Sequence, residues 1–73
     1  MVSGRQSQKQ QFLQDINTYN TIIESRFGSK ILAVKQPGRS DYHLYFRNRM
    51  ITICYNQDEV NKFIRAFAEF AQA

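Results

Sequence analysis

Apolar residues recur along this chain with two different periods, and the change of period marks its elements. Phe12, Leu13, Ile16, Tyr19, Ile23 and Phe27 fall at helical spacings, with Ile22 at the margin and polar residues between them. This stripe predicts an amphipathic helix from about Lys9, closed by Gly28 in the left-handed conformation. Residues 31–36 (Ile31-Leu32-Ala33-Val34-Lys35-Gln36) then read as a strand, with Leu32 and Val34 expected to face the core. Pro37-Gly38 breaks it and suits the centre of a type II turn.

From Tyr42 the period becomes two. Tyr42, Leu44 and Phe46 alternate with His43, Tyr45 and Arg47, and Ile51, Ile53 and Tyr55 alternate with Met50, Thr52 and Cys54. The pattern predicts a hairpin turning at Asn48-Arg49. In that register Phe46 opposes Ile51, Leu44 opposes Ile53 and Tyr42 opposes Tyr55, so one face is wholly apolar. The other face pairs Arg47 with Met50, Tyr45 with Thr52 and His43 with Cys54. A second helix follows: Asn56 and Glu59 form a capping box, and Val60, Phe63, Ile64, Phe67 and Phe70 make one stripe.

These elements give an α+β fold of order helix-strand-strand-strand-helix. Each helix has one apolar stripe and the sheet one apolar face, so a three-stranded antiparallel sheet is expected with both helices packed on one face. Residues 1–8 are polar and read as a flexible N-terminal segment; residues 9–73 read as a single compact domain. The open face is expected to carry Lys35, His43, Tyr45, Arg47, Met50, Thr52 and Cys54.

Composition narrows the function classes. With 42% hydrophobic residues the chain has enough for one core, which argues against disorder. A single cysteine forms no internal disulfide, and no apolar run approaches the roughly 20 residues that span a membrane. With no apolar leader after Met1, a cytoplasmic protein without a membrane partner is expected.

The net charge is +4, and the cations are concentrated. Residues 25–50 hold Arg26, Lys30, Lys35, Arg39, Arg47 and Arg49 against the one carboxylate of Asp41. A basic stretch interleaved with Tyr45 suits a polyanion, because bases stack on aromatic rings while cations hold phosphates. Lys35, Arg39, His43, Tyr45, Arg47 and Arg49 are therefore the candidate binding residues, with nucleic acid as the first expected partner. An aromatic-and-arginine patch is also what protein interfaces use, so a protein partner or a homodimer through the same face is the alternative.

Catalysis has little to rest on. His43 and Cys54 are single and expected opposite each other, but nothing is placed to orient the histidine. Two such ligands fall short of a four-ligand zinc site. The three glycines are isolated, so no phosphate loop is present. The expectation is a non-enzymatic binding module with no cofactor, no metal and no evident small-molecule substrate.

The element order from Phe12 to Ala71 resembles the double-stranded RNA-binding domain. In that family a Gly-Pro-x-His-type element lies between the first two strands, where this chain has Pro37-Gly38 and His43 in altered order and spacing. The family's lysine cluster at the start of the second helix is replaced here by Gln57-Asp58-Glu59-Val60. The resemblance implies a shared architecture and carries over no binding residue.

Overall fold

The computed structural model describes residues 4–73, with side chains from Gln10 onward. The elements are α1 (Gly4–Phe27), β1 (Ile31–Lys35), β2 (Tyr42–Phe46), β3 (Arg49–Cys54) and α2 (Gln57–Gln72). The strands form one antiparallel sheet of order β1-β2-β3, and helix residues pack against one of its faces, as expected. Of the expected flexible segment, positions 1–3 lie outside the described residues and positions 4–8 belong to α1.

Local chemistry sets the element ends. Gly28 takes a φ of 76° and its N–H donates to the Glu24 carbonyl at 2.8 Å, which stops α1 in the left-handed conformation that glycine enters freely. In the β1–β2 loop, Arg39 N–H donates to the Gln36 carbonyl and Gly38 has a φ of 68°, completing the type II turn. Asn56 caps α2 by accepting from the Glu59 N–H at 2.9 Å, while the Glu59 carboxylate accepts from the Tyr55 N–H at 2.8 Å.

α1 and α2 lie side by side and run in the same direction. Asn61 donates to Asp15 at one end, and Ala71 and Gln72 share a surface depression with Ile22 and Ser25 at the other. The buried line of α2 is Val60, Ile64, Ala68 and Ala71. Phe63 and Phe67 flank this line, and the Phe67 ring meets those of Phe27 and Phe46 at 5.6 and 5.4 Å. Phe70 is 70% exposed, a correction to the expected stripe: small alanines, not a third phenylalanine, sit on the line that faces inward. Leu13 likewise stands 56% exposed on α1.

The hairpin departs from its expected register. The turn lies on Arg47-Asn48, one residue early, with φ of 53° and 66°. Positive φ at both central residues is the two-residue turn whose twist matches the strands. Asparagine tolerates that conformation. Arg47 is compensated by its guanidinium, which lies 5.2 Å from the Phe46 ring centre and donates to the Phe27 carbonyl. Phe46 then pairs with Arg49 and Tyr45 with Met50. A β-bulge at Ile51 follows, so that Leu44 pairs with Thr52, His43 with Ile53 and Tyr42 with Cys54.

The faces therefore differ from the alternation pattern in two strands. On the helix side stand the rows Ile31–Phe46–Arg49, Ala33–Leu44–Thr52 and Lys35–Tyr42–Cys54. Ile31, Leu44, Tyr42 and Cys54 join Ile23, Val60, Ile64 and Ala68 in the core. Leu32 and Val34, expected inside, point away from the helices, and so does Ile53. Turn chemistry and the bulge outweigh the preference of the two isoleucines for the interior.

Candidate functional site: the open face of the sheet

Two three-residue rows cross the face that the helices leave open. Leu32, Tyr45 and Met50 form one, and Val34, His43 and Ile53 form the other. Leu32 is 59% exposed, Met50 51% and Val34 46%, with Ile51 exposed beside them at the bulge. β1 supplies two of the six, because Ile31-Leu32-Ala33-Val34 is apolar on both sides. A strand of that kind is usually covered on both sides, and here only one side is covered.

The six residues expected to bind are divided by the fold. His43 and Tyr45 lie on the open face, half-buried. Lys35 and Arg49 stand at opposite corners of the helix-side face, one at each end of β2. Tyr42 to Phe46 spans about 13 Å at a strand's rise per residue. Arg39 is in the loop beside Lys35, and the Lys35 ammonium donates to the Arg39 carbonyl. Arg47 lies in the hairpin turn, over Phe46 on the helix side, which corrects its expected place on the open face. The sheet thus keeps Lys35 and Arg39 at one end, apart from Arg47 and Arg49 at the other.

His43 and Cys54 do not meet. Cys54 pairs with Tyr42 on the core side and is buried, while His43 pairs with Ile53 on the open side. Thr52 is also turned to the helix side, so with Lys35, Arg47 and Cys54 four of the seven residues expected on the open face have left it. Burial pushes the Cys54 thiol above its ordinary value, and the negative Glu59 nearby pushes it further. A thiol held protonated in the core is a packing group, not a nucleophile.

The charged cluster bordering the face is Arg39, Asp41 and His43. Arg39 Nε lies 2.8 Å from Asp41 Oδ1, and His43 Nε2 lies 3.7 Å from Asp41 Oδ2. Burial alone raises the Asp41 carboxyl, but hydrogen bonds from Arg39 and the backbone and the nearby positive charge outweigh it, leaving it below its ordinary value of 3.8. A carboxyl depressed in the folded state stabilises the fold above the unfolded value, and that contribution is lost as the pH falls through the folded value. Urea midpoints at pH about 7 and about 3 are expected to fall further for the wild type than for Asp41→Asn. Parallel midpoints would remove the ion pair from the stability of this corner.

A second feature was not legible in the sequence. A cleft of about 660 Å³ opens between α1 and β1, with Phe12, Leu13, Ile16, Ile31 and Ala33 on its walls and Lys35, Tyr42 and Gln57 at its polar end. Gln57 donates to the Tyr42 hydroxyl there at 3.2 Å. It exists because α1 stands off β1, and no local pattern reports the gap between two elements. The one sequence signal was Leu13, an apolar residue adjacent to Phe12 that a single helical stripe cannot turn wholly inward.

No family model matches the chain, and neither a curated protein nor a solved structure matches it. Among the described residues no helix is long and apolar enough to cross a membrane, and no three His, Cys, Asp or Glu side chains gather as a metal site would require.

Proposed function

We propose that this chain is a non-enzymatic protein-interaction module, docking through the open face of its sheet onto a second copy of itself. The observation that carries the reading is the pair of rows Leu32–Tyr45–Met50 and Val34–His43–Ile53, apolar or aromatic at every position but one. Contiguous exposed apolar surface of this kind marks an interaction site.

A second copy fits for reasons of charge and shape. The two rows hold no carboxylate and no permanent cation, although the chain carries +4. Lys35, Arg39, Arg47 and Arg49 are displaced to the ends of the sheet, so two copies meet without like charges inside the contact. Face-to-face sheets pack about 10 Å apart, and a two-fold axis parallel to β2, midway between the two sheets, lays each row on its counterpart. A three-stranded face is smaller than the roughly 800 Å² per partner of a standard complex, so the dimer is weak and reversible. A single cysteine suits the reducing cytoplasm as the setting.

The nucleic-acid reading draws less support. Its cations stand at separate ends of the sheet, and Arg39 and Arg47 are already engaged by Asp41 and by Phe46 with the Phe27 carbonyl.

Sedimentation over a wide concentration range tests the proposal. The wild type is expected to rise above its 8.6 kDa mass as concentration rises, and added salt should leave the association unweakened. Met50→Lys, at a position exposed in the single chain, should stay at 8.6 kDa with an unchanged melting curve. A wild type that remains monomeric up to about 1 mM, where even weak contacts of about 4 kcal/mol appear, overturns it.

A further inference from the structure

We propose that the cleft between α1 and β1 binds an extended peptide segment of a protein partner, added to the sheet as a strand along β1. The segment carries apolar side chains at alternate positions and a carboxylate opposite Lys35. This site shares only Leu32 with the open face and stands whether or not that face forms a dimer.

The first support is the backbone of β1, an edge strand. The Ile31 N–H donates to Asn20 Oδ1 at 2.8 Å, and Asn20 Nδ2 donates to the Ile31 carbonyl at 2.9 Å. That is the pair of bonds a residue on a neighbouring strand would make. The side chain of α1 stands in for a fourth strand at this one position. In an antiparallel sheet the residues two and four further on direct their N–H and C=O to the same side. Those are Ala33 and Lys35, and the cleft lies beside them.

The second support is what the cleft presents. Phe12, Leu13 and Ile16 line it from α1, and Ile31 and Ala33 from β1. Its 660 Å³ falls in the range of ligand sites, roughly 300–1,000 Å³. A strand laid on β1 turns every second side chain toward the helices, and those side chains drop into this apolar space. Backbone bonds supply affinity and the alternate pockets supply selection.

Charge selects the end of the segment. Lys35 is the one charged residue on the cleft wall, and among the described residues its ammonium meets no carboxylate within ion-pair distance. A carboxylate on the occupant completes it. A second copy of β1 does not fit: pairing centred on Ala33 drives it into Asn20, and pairing centred on Lys35 sets two lysines opposite each other.

The test is selection from a displayed library of random dodecapeptides on the immobilised chain. Selected peptides should share apolar residues at alternate positions beside an acidic one, and should bind Met50→Lys as well as the wild type. Ala33→Pro removes an N–H aimed at the partner and none that the sheet itself uses, a change edge strands accept. It should weaken binding about tenfold or more, the loss of one buried hydrogen bond. Leu13→Arg, at an exposed position, should do the same without touching the sheet. Amide exchange at Ala33 and Lys35 should slow when peptide is added. Selection that yields no peptide above background, or peptides indifferent to both substitutions, overturns the proposal.

Discussion

Leu44→Ala is expected to lower the free energy of unfolding by about 3–5 kcal/mol. Leu44 has no exposed surface and sits at the middle of the central strand. Its cross-strand neighbours on the helix side are Ala33 and Thr52, both small, so neither can close the space a shortened side chain leaves. Cavity costs are largest where the surroundings cannot collapse. A chain of this length has a total stability of roughly 4–11 kcal/mol, so the variant should be largely unfolded at modest urea. Leu32→Ala is the control. It removes the same atoms from β1, but from a side chain 59% exposed on the open face, and should change stability by only about 0.5 kcal/mol. Urea unfolding at low protein concentration reads both. Equal losses would mean that β1 faces the other way.

The second large effect is expected at Asn20. It is 6% exposed, and its two bonds to Ile31 tie α1 to the outer strand. Asn20→Ala breaks both and leaves the N–H and carbonyl of a residue that is itself 1% exposed without partners. Each orphaned group costs about 1–3 kcal/mol, so a loss of about 2–6 kcal/mol follows. Asn20→Asp keeps an acceptor for the Ile31 N–H but sets a carboxylate against the Ile31 carbonyl. It should be worse than alanine at neutral pH and recover in acid, when the carboxyl regains a proton to donate. Thermal unfolding across pH separates the two bonds. An Asn20→Asp variant that matched the wild type at neutral pH would show that the donor half contributes nothing.

Much of the architecture was legible because its signals are local. Gly28, Pro37-Gly38 and the Asn56/Glu59 cap each act within four residues, and the structure realises each as expected. The element order and the helix-backed sheet follow from periodicity. The facing of the strands does not. Ile31-Leu32-Ala33-Val34 is apolar at every position, so alternation cannot say which pair points inward. In β3, Ile51 and Ile53 look more suited to the core than Thr52 and Cys54, yet a turn at Arg47-Asn48 and one extra residue at the bulge reverse them. The candidate site inherited that reversal. The basic-aromatic surface expected from Lys35 through Arg49 becomes an apolar surface with its cations moved to the ends. Asn20 was invisible for another reason: its partner lies eleven residues away on a different element, and only the tertiary fold brings them together.

The bulge at Ile51 also works against growth of the sheet into a fibre. Head-to-tail growth of a sheet into a filament needs two receptive edges, the β1 of one copy accepting the β3 of the next. A bulge twists its strand and breaks the even ladder that an incoming strand would follow. At the other side, the Asn20 amide already fills the first position of the β1 edge. Each copy therefore has one short receptive length, at Ala33 and Lys35, and no matching straight edge to offer its neighbour. Such a chain can present apolar surface to water and still stop at small assemblies.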